Sequence, residues 1–164
     1  MSHPSISSTP APSDLAAYSS FGAALLPLLR SSDLPALREL SAADPSILRG
    51  RTVHGDSLLH LASRTSHPSL VRFLVAAGVP VHTCDDFGRT PLHDAFWTPL
   101  PNPDAVAAML DVDPALIAVA DKRGATPLGY ARPEHGAFWV DWLDKNRARY
   151  WPAKGGEGEV EIVG

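Results

Sequence analysis

The residues best suited to chemistry are two histidines, His60 and His93, and the run His82-Thr83-Cys84-Asp85-Asp86. A histidine can act as a general base near neutral pH or ligate a metal. His, Cys and Asp together are ligand types for a cation such as zinc, which wants about four of them at defined spacing. His82 and Cys84 supply one pair, and the sequence has no second pair at a suitable distance. A metal-binding or enzymatic role around His82 and Cys84 is therefore the weakest reading, and Cys84 is expected to be a small buried residue rather than a reactive thiol. The chain has no nucleophile elbow, no His-Glu-x-x-His, no phosphate-cradling glycine loop and no Cys-x-x-Cys. No catalytic residue, metal or cofactor is expected.

The elements that would hold these histidines are written into one repeated stretch. In Phe87-Gly88-Arg89-Thr90-Pro91-Leu92-His93-Asp94-Ala95, Gly88 can take the positive φ of a tight turn. Thr90 stands where a helix N-cap belongs, and Pro91 follows at the first helical position, where its missing N–H costs nothing. Leu92 and Ala95 begin an apolar face at helical spacing. The same phrase recurs upstream as Gly55-Asp56-Ser57-Leu58-Leu59-His60-Leu61-Ala62, and downstream as Gly124-Ala125-Thr126-Pro127-Leu128-Gly129-Tyr130-Ala131. The glycines are 33 and then 36 residues apart. A period of that size around Thr-Pro-Leu-His marks a repeat array.

Over residues 22–151 the chain resembles the ankyrin repeat family. The resemblance implies an all-α repeat solenoid, a stack of helix-turn-helix units joined by short β-hairpin-like arms. It implies binding of other proteins without chemistry. It also gives His60 and His93 a structural task, hydrogen-bonding within and between units, with Ser57 and Thr90 as their partner hydroxyls. Gly129 replaces the histidine in the last unit, which has no successor to bond.

Residues 1–13 are rich in Ser and Pro with a single large aliphatic residue, Ile6, and read as a disordered tail in which Thr9-Pro10 could accept a phosphate. Residues 14–152 make the array, in units of about 14–54, 55–87, 88–123 and 124–152. The first unit is degenerate, with helices expected over 15–29 and 33–40, the second capped by Asp33 and apolar at Leu34, Leu37 and Leu40. Its Asp44-Pro45 reappears as Asp113-Pro114. The second unit carries helices over 58–65 and 70–77, with Leu70, Val71 and Leu74 inward and Gly78 as the stop. The third is longer by three residues, mostly in the stiff loop of Trp97 to Pro103. The fourth ends in a helix over 137–149, apolar at Phe138, Trp139, Trp142 and Leu143 and charged opposite. Residues 153–164 form a flexible acidic tail. Within it, Val160-Glu161-Ile162-Val163 looks like a small-ubiquitin-like-modifier interaction motif that would add a strand to a partner's sheet edge.

By resemblance, a partner protein would lie on the concave face, on the turn tips and the exposed side of the inner helices. The matching residues are Val53, His54 and Asp56; Arg64 and Thr65; Asp86, Phe87 and Arg89; Trp97 and Thr98; and Lys122, Arg123 and Ala125. Phe87 and Trp97, aromatics near arginines, have the composition of interface hot spots. Trp97 has two possible fates, exposed anchor or packing on Phe138 or Trp142. Chaperone-like shielding of a basic client is the alternative function. The net charge of −4 argues against a nucleic-acid partner. No stretch is apolar enough for a membrane span, and one cysteine precludes an intrachain disulfide. The expectation is a monomeric, non-secreted scaffold of cytoplasm or nucleus.

Overall fold

A computed structural model describes residues 24–153. Both tail readings, the Thr9-Pro10 site and the Val160–Val163 motif lie outside the described residues. The chain folds as short helices: α1 (Leu26–Ser31), α2 (Leu34–Ala43), α3 (Leu58–Ser63), α4 (Pro68–Ala76), α5 (Pro91–Phe96), α6 (Pro103–Leu110), α7 (Gly136–Lys145) and α8 (Arg147–Tyr150). Among the described residues four 3₁₀ turns are interspersed, at Pro45–Arg49, Pro114–Ala118, Pro127–Tyr130 and Pro133–His135. Among the described residues there is no sheet, only an isolated bridge between Arg51 and Ser57. Each arm reverses in a tight turn closed by a backbone bond across its tip, such as Asp85 N–H to Arg89 O (3.0 Å).

Local chemistry sets the helix ends. Asp33 caps α2 by accepting from the Ala36 N–H (3.1 Å), and Asn102 caps α6 through Ala105 (3.3 Å). The repeated Asp-Pro pair does one job twice. Asp44 accepts from Ser46 N–H (3.0 Å) and Asp113 from Ala115 N–H (2.9 Å), each opening a 3₁₀ turn. Helix α4 ends in a left-handed Gly78 (φ +84°), with Gly78 N–H donating to Val75 O and Val79 N–H to Leu74 O, both 3.0 Å. That double closure satisfies two terminal carbonyls.

Leu70, Val71 and Leu74 are fully buried, as their spacing predicts. Helix α3 packs on α5, and α5 on the Pro127–Tyr130 turn; α4 packs on α6. One continuous apolar core runs from Leu25, Leu29 and Leu37 through Leu58, Leu92, Phe96 and Met109 to Trp139 and Tyr150.

Two expectations need correction. The Thr126-Pro127-Leu128 phrase starts a 3₁₀ turn of four residues and no α-helix. Gly129 is a poor helix former. Arg132 precedes Pro133, which disfavours helical backbone, and both Ala131 and Arg132 are extended. In α7 only Trp139 is fully buried, while Phe138 is 42% exposed. Trp139 fills the space against Phe96 (ring centroids 4.6 Å apart), and Phe138 and Trp142 pack edge-on to it from outside. No helix among the described residues is long and apolar enough to cross a membrane.

Candidate functional site

Three turns, each ending in a left-handed glycine, form the edge of the site. In each, the residue three before the glycine closes the turn. Gly55 N–H donates to Thr52 O (2.9 Å), Gly88 to Asp85 O (2.9 Å) and Gly124 to Asp121 O (3.0 Å). The side chain of that same residue collects two more backbone N–H groups. Thr52 Oγ1 accepts from His54 and Asp56, Asp85 Oδ1 from Phe87 and Arg89, and Asp121 Oδ1 from Arg123 and Ala125. Successive turns are tied together, since Asp86 N–H donates to His54 O and Lys122 N–H to Phe87 O, both 3.0 Å.

The histidines brace the turns from below. Ser57 N–H and Thr90 N–H each donate to the Nδ1 of the histidine three residues on (3.0 Å). The Ser57 and Thr90 hydroxyls sit 2.9 and 3.0 Å from the same nitrogens. On the far side of the ring, His60 Nε2 meets Arg89 O (2.8 Å) and His93 Nε2 meets Ala125 O (3.1 Å). A backbone N–H can only donate and a carbonyl can only accept. Both imidazoles are therefore neutral, with the proton on Nε2. Burial, the largest influence, pushes both rings below the ordinary 6.5, against the pull of Asp56, Asp85 and Asp94 on His60 and of Asp85 and Asp121 on His93. These histidines are spent on structure, each joining one repeat to the next.

Asp56, His60 and Asp94 are all buried, and their ligand atoms lie within 4.8 Å of one another. A cation already serves them. The Arg64 guanidinium lies 2.5 Å from Asp56 Oδ1 and 3.1 Å from Asp94 Oδ2, and both ring nitrogens of His60 are engaged. Together Asp56, Arg64 and Asp94 form a cross-repeat ion cluster. Burial pushes the Asp94 carboxyl up, and Arg64 works against that. Asp56 thus departs from its expected place as an exposed contact, because Arg64 and Thr52 draw its carboxylate inward. Thr98 is also buried, its hydroxyl donating to Leu100 O (2.7 Å).

The other expected contact residues lie at the surface. Val53, His54, Asp86, Lys122 and Arg123 are exposed. Phe87 and Trp97 are 54% and 56% exposed. Each aromatic carries a guanidinium on its face: Arg89 Cζ is 5.0 Å from the Phe87 centroid and Arg132 Cζ 5.1 Å from that of Trp97. Trp97 takes the exposed fate, because Phe138 and Trp142 are occupied by Trp139. Arg132 Nε also donates to Trp97 O (3.2 Å). A cleft of about 210 Å³ lies between Phe87, Arg89, Lys122, Arg123, Asp121 and Tyr130. The Tyr130 hydroxyl donates to Asp121 Oδ2; burial first, and then this bond, push the phenol's pKa up to about 12. A larger hollow of about 500 Å³ lies elsewhere, between the Pro45–Arg49 turn and Gly78–Pro80.

Sequence reasoning missed Tyr130 and Arg132, read Asp85 only as a ligand-type residue of the His82–Asp86 run, and missed Asp121. The last two carried a signal, a side-chain acceptor three residues before every repeat glycine. Arg132 carried none, because its partner Trp97 belongs to the preceding repeat.

The residues placed in the His82–Asp86 run do not converge. His82 Nε2 lies 2.6 Å from Asp113 Oδ2, and Asp85 is buried against Arg89 (2.7 Å). Cys84 is exposed, contrary to the expectation of burial, while Val81 and Asp85 on the same arm are the residues turned inward.

No curated protein sequence matches the chain. Residues 58–98 match the family model for ankyrin repeats (many copies). The matched span runs from the start of α3 to the loop after α5 and takes in both bracing histidines with Arg64 and Asp94, and over that span the chain is similar to ankyrin repeats.

Proposed function

We propose that this chain is a non-enzymatic interaction module that holds a partner protein on the concave face of a solenoid of about four repeats. Ankyrin repeats generally mediate protein–protein interaction. The observation that carries the reading is the pair of half-exposed aromatics, Phe87 and Trp97, each under a guanidinium, on the same turn-and-inner-helix surface as Arg123. Large apolar side chains left in water beside arginines have hot-spot chemistry. The turns beneath them are fixed by the histidine and aspartate bonds, so little ordering cost is left for binding to meet. His54, Asp86 and Lys122 extend the face along the turn tips. Asp56 and Arg64 support it from behind. The single exposed thiol of Cys84 suits a reducing compartment, the cytoplasm or the nucleus.

The test is affinity capture from native extract with the intact chain beside a Phe87→Ala/Trp97→Ala variant shown by circular dichroism to be folded. A partner kept by the first and lost by the second is the expected result. For an isolated partner, Trp97→Ala should cost at least about 1 kcal/mol of binding, the usual floor for a hot spot. Equal affinity of the folded variant refutes the assignment.

A further inference from the structure

The cleft beside Phe87 has a charge asymmetry. The carboxylate in its lining, Asp121, and the one behind Arg89, Asp85, are both used up internally. Asp85 spends Oδ1 on two backbone N–H groups and Oδ2 on the Arg89 side chain. Asp121 spends Oδ1 on two N–H groups and Oδ2 on Tyr130. Neither offers an acceptor to a ligand. The cations are differently placed. Lys122 and Arg123 are exposed, and among the described residues neither has a carboxylate within 4.0 Å. Arg132, over Trp97, lies outside the lining of this cleft. The Lys122–Arg123 pair is set in a chain of net charge −4. The exposed carboxylate at the neighbouring tip, Asp86, marks where the basic stretch ends.

We propose that this cleft selects an acidic peptide segment of a partner protein, with Asp or Glu side chains on Lys122 and Arg123 and an apolar residue beside them on Phe87. The inference rests on the interaction-module reading and adds the chemistry of the partner. Carboxylates gain from guanidinium and ammonium groups that have no internal partner, while the Phe87 ring takes the apolar side chain. A basic peptide would find the acceptors already occupied. Aromatics beside arginines also suit single-stranded nucleic acid, but two unpaired cations, Lys122 and Arg123, are few for a backbone with a charge on every nucleotide.

The experiment is display selection of random 12-residue peptides on the full chain. The affinity of the leading peptide is then measured for wild type, Lys122→Glu/Arg123→Glu and Phe87→Ala/Trp97→Ala, each checked for folding by circular dichroism. Expected are peptides in which Asp or Glu flank an apolar residue, a loss of tenfold or more on charge reversal, and binding that weakens with added salt. Neutral or basic winners, acidic winners indifferent to charge reversal, or an empty selection overturn the proposal. So does a 12-nucleotide single-stranded RNA that binds more tightly than any peptide. If acidic peptides bind only after residues 155–164 are removed, the occupant is this chain's own glutamate-bearing tail and a partner peptide is excluded. Non-acidic winners lost with Phe87→Ala/Trp97→Ala leave the module reading standing; winners insensitive to both variant pairs remove it as well.

Discussion

Lowering the pH from 7.5 to 5.5 should destabilise this protein through His60 and His93, and the geometry fixes the sign. In the folded chain each Nδ1 accepts a backbone N–H at 3.0 Å, so protonating it would set one donor against another. Both folded pKa values accordingly lie below 6.5, whereas the unfolded chain titrates near 6.5. Above that pH both states are neutral and the full stability is present. As the pH falls below 6.5 the unfolded chain binds protons that the folded chain refuses, so stability is lost, until the folded values are reached. At the limit of complete refusal, linkage gives a loss of about 1.4 kcal/mol per histidine across this range, or about 2.7 kcal/mol for both. Asp94, raised by burial, acts with the opposite sign as it takes up a proton, and remains in every variant compared. The assay is urea unfolding followed by circular dichroism at half-unit pH steps, for the wild type and for His93→Asn, whose carbonyl can still accept from Thr90 N–H. The variant should keep about half the slope whatever its absolute stability. A flat wild-type profile, or an undiminished slope in His93→Asn, would refute the assignment of neutral, Nε2-protonated rings.

Three further outcomes follow from packing. Gly78→Ala and Gly88→Ala meet the same backbone penalty, about 1–2 kcal/mol at φ +84° and +77°. A Cβ at Gly78 has nothing within 4 Å, whereas one at Gly88 sits 3.0 Å from the Lys122 nitrogen, so Gly88→Ala should be the more costly by urea titration. Trp139→Ala should lose about 3–5 kcal/mol, because the indole is fully buried against Phe96; a loss under 1 kcal/mol in calorimetry would mean that α7 does not seal the core. Arg64→Leu should cost about 2–4 kcal/mol by leaving Asp94 buried without its cation, discounted because Arg64 is partly exposed. Adding Asp94→Asn should recover most of that loss, and a strictly additive double variant would argue against the ion cluster.

Much of this protein was legible in its sequence because repeats convert local chemistry into position. Glycine spacing located the turns, Ser57 and Thr90 marked the helix starts, and Leu70, Val71 and Leu74 declared the buried face, since caps, left-handed glycines and helical periodicity act within a few residues. The residues that became the candidate face were also nameable in advance, as positions on the repeat. Their condition was not. Asp56 went inside because Arg64 reached it, Trp97 stayed outside because Trp139 had taken Phe138 and Trp142, and Cys84 faced water although its type suggested burial. The Arg132–Trp97 stack, the His60–Arg89 and His93–Ala125 bonds and the Tyr130–Asp121 bond join residues of different units or different elements. Sequence sets what each side chain can donate, accept or bury; competition for partners across the packed units decides which carboxylates are spent and which cations remain free.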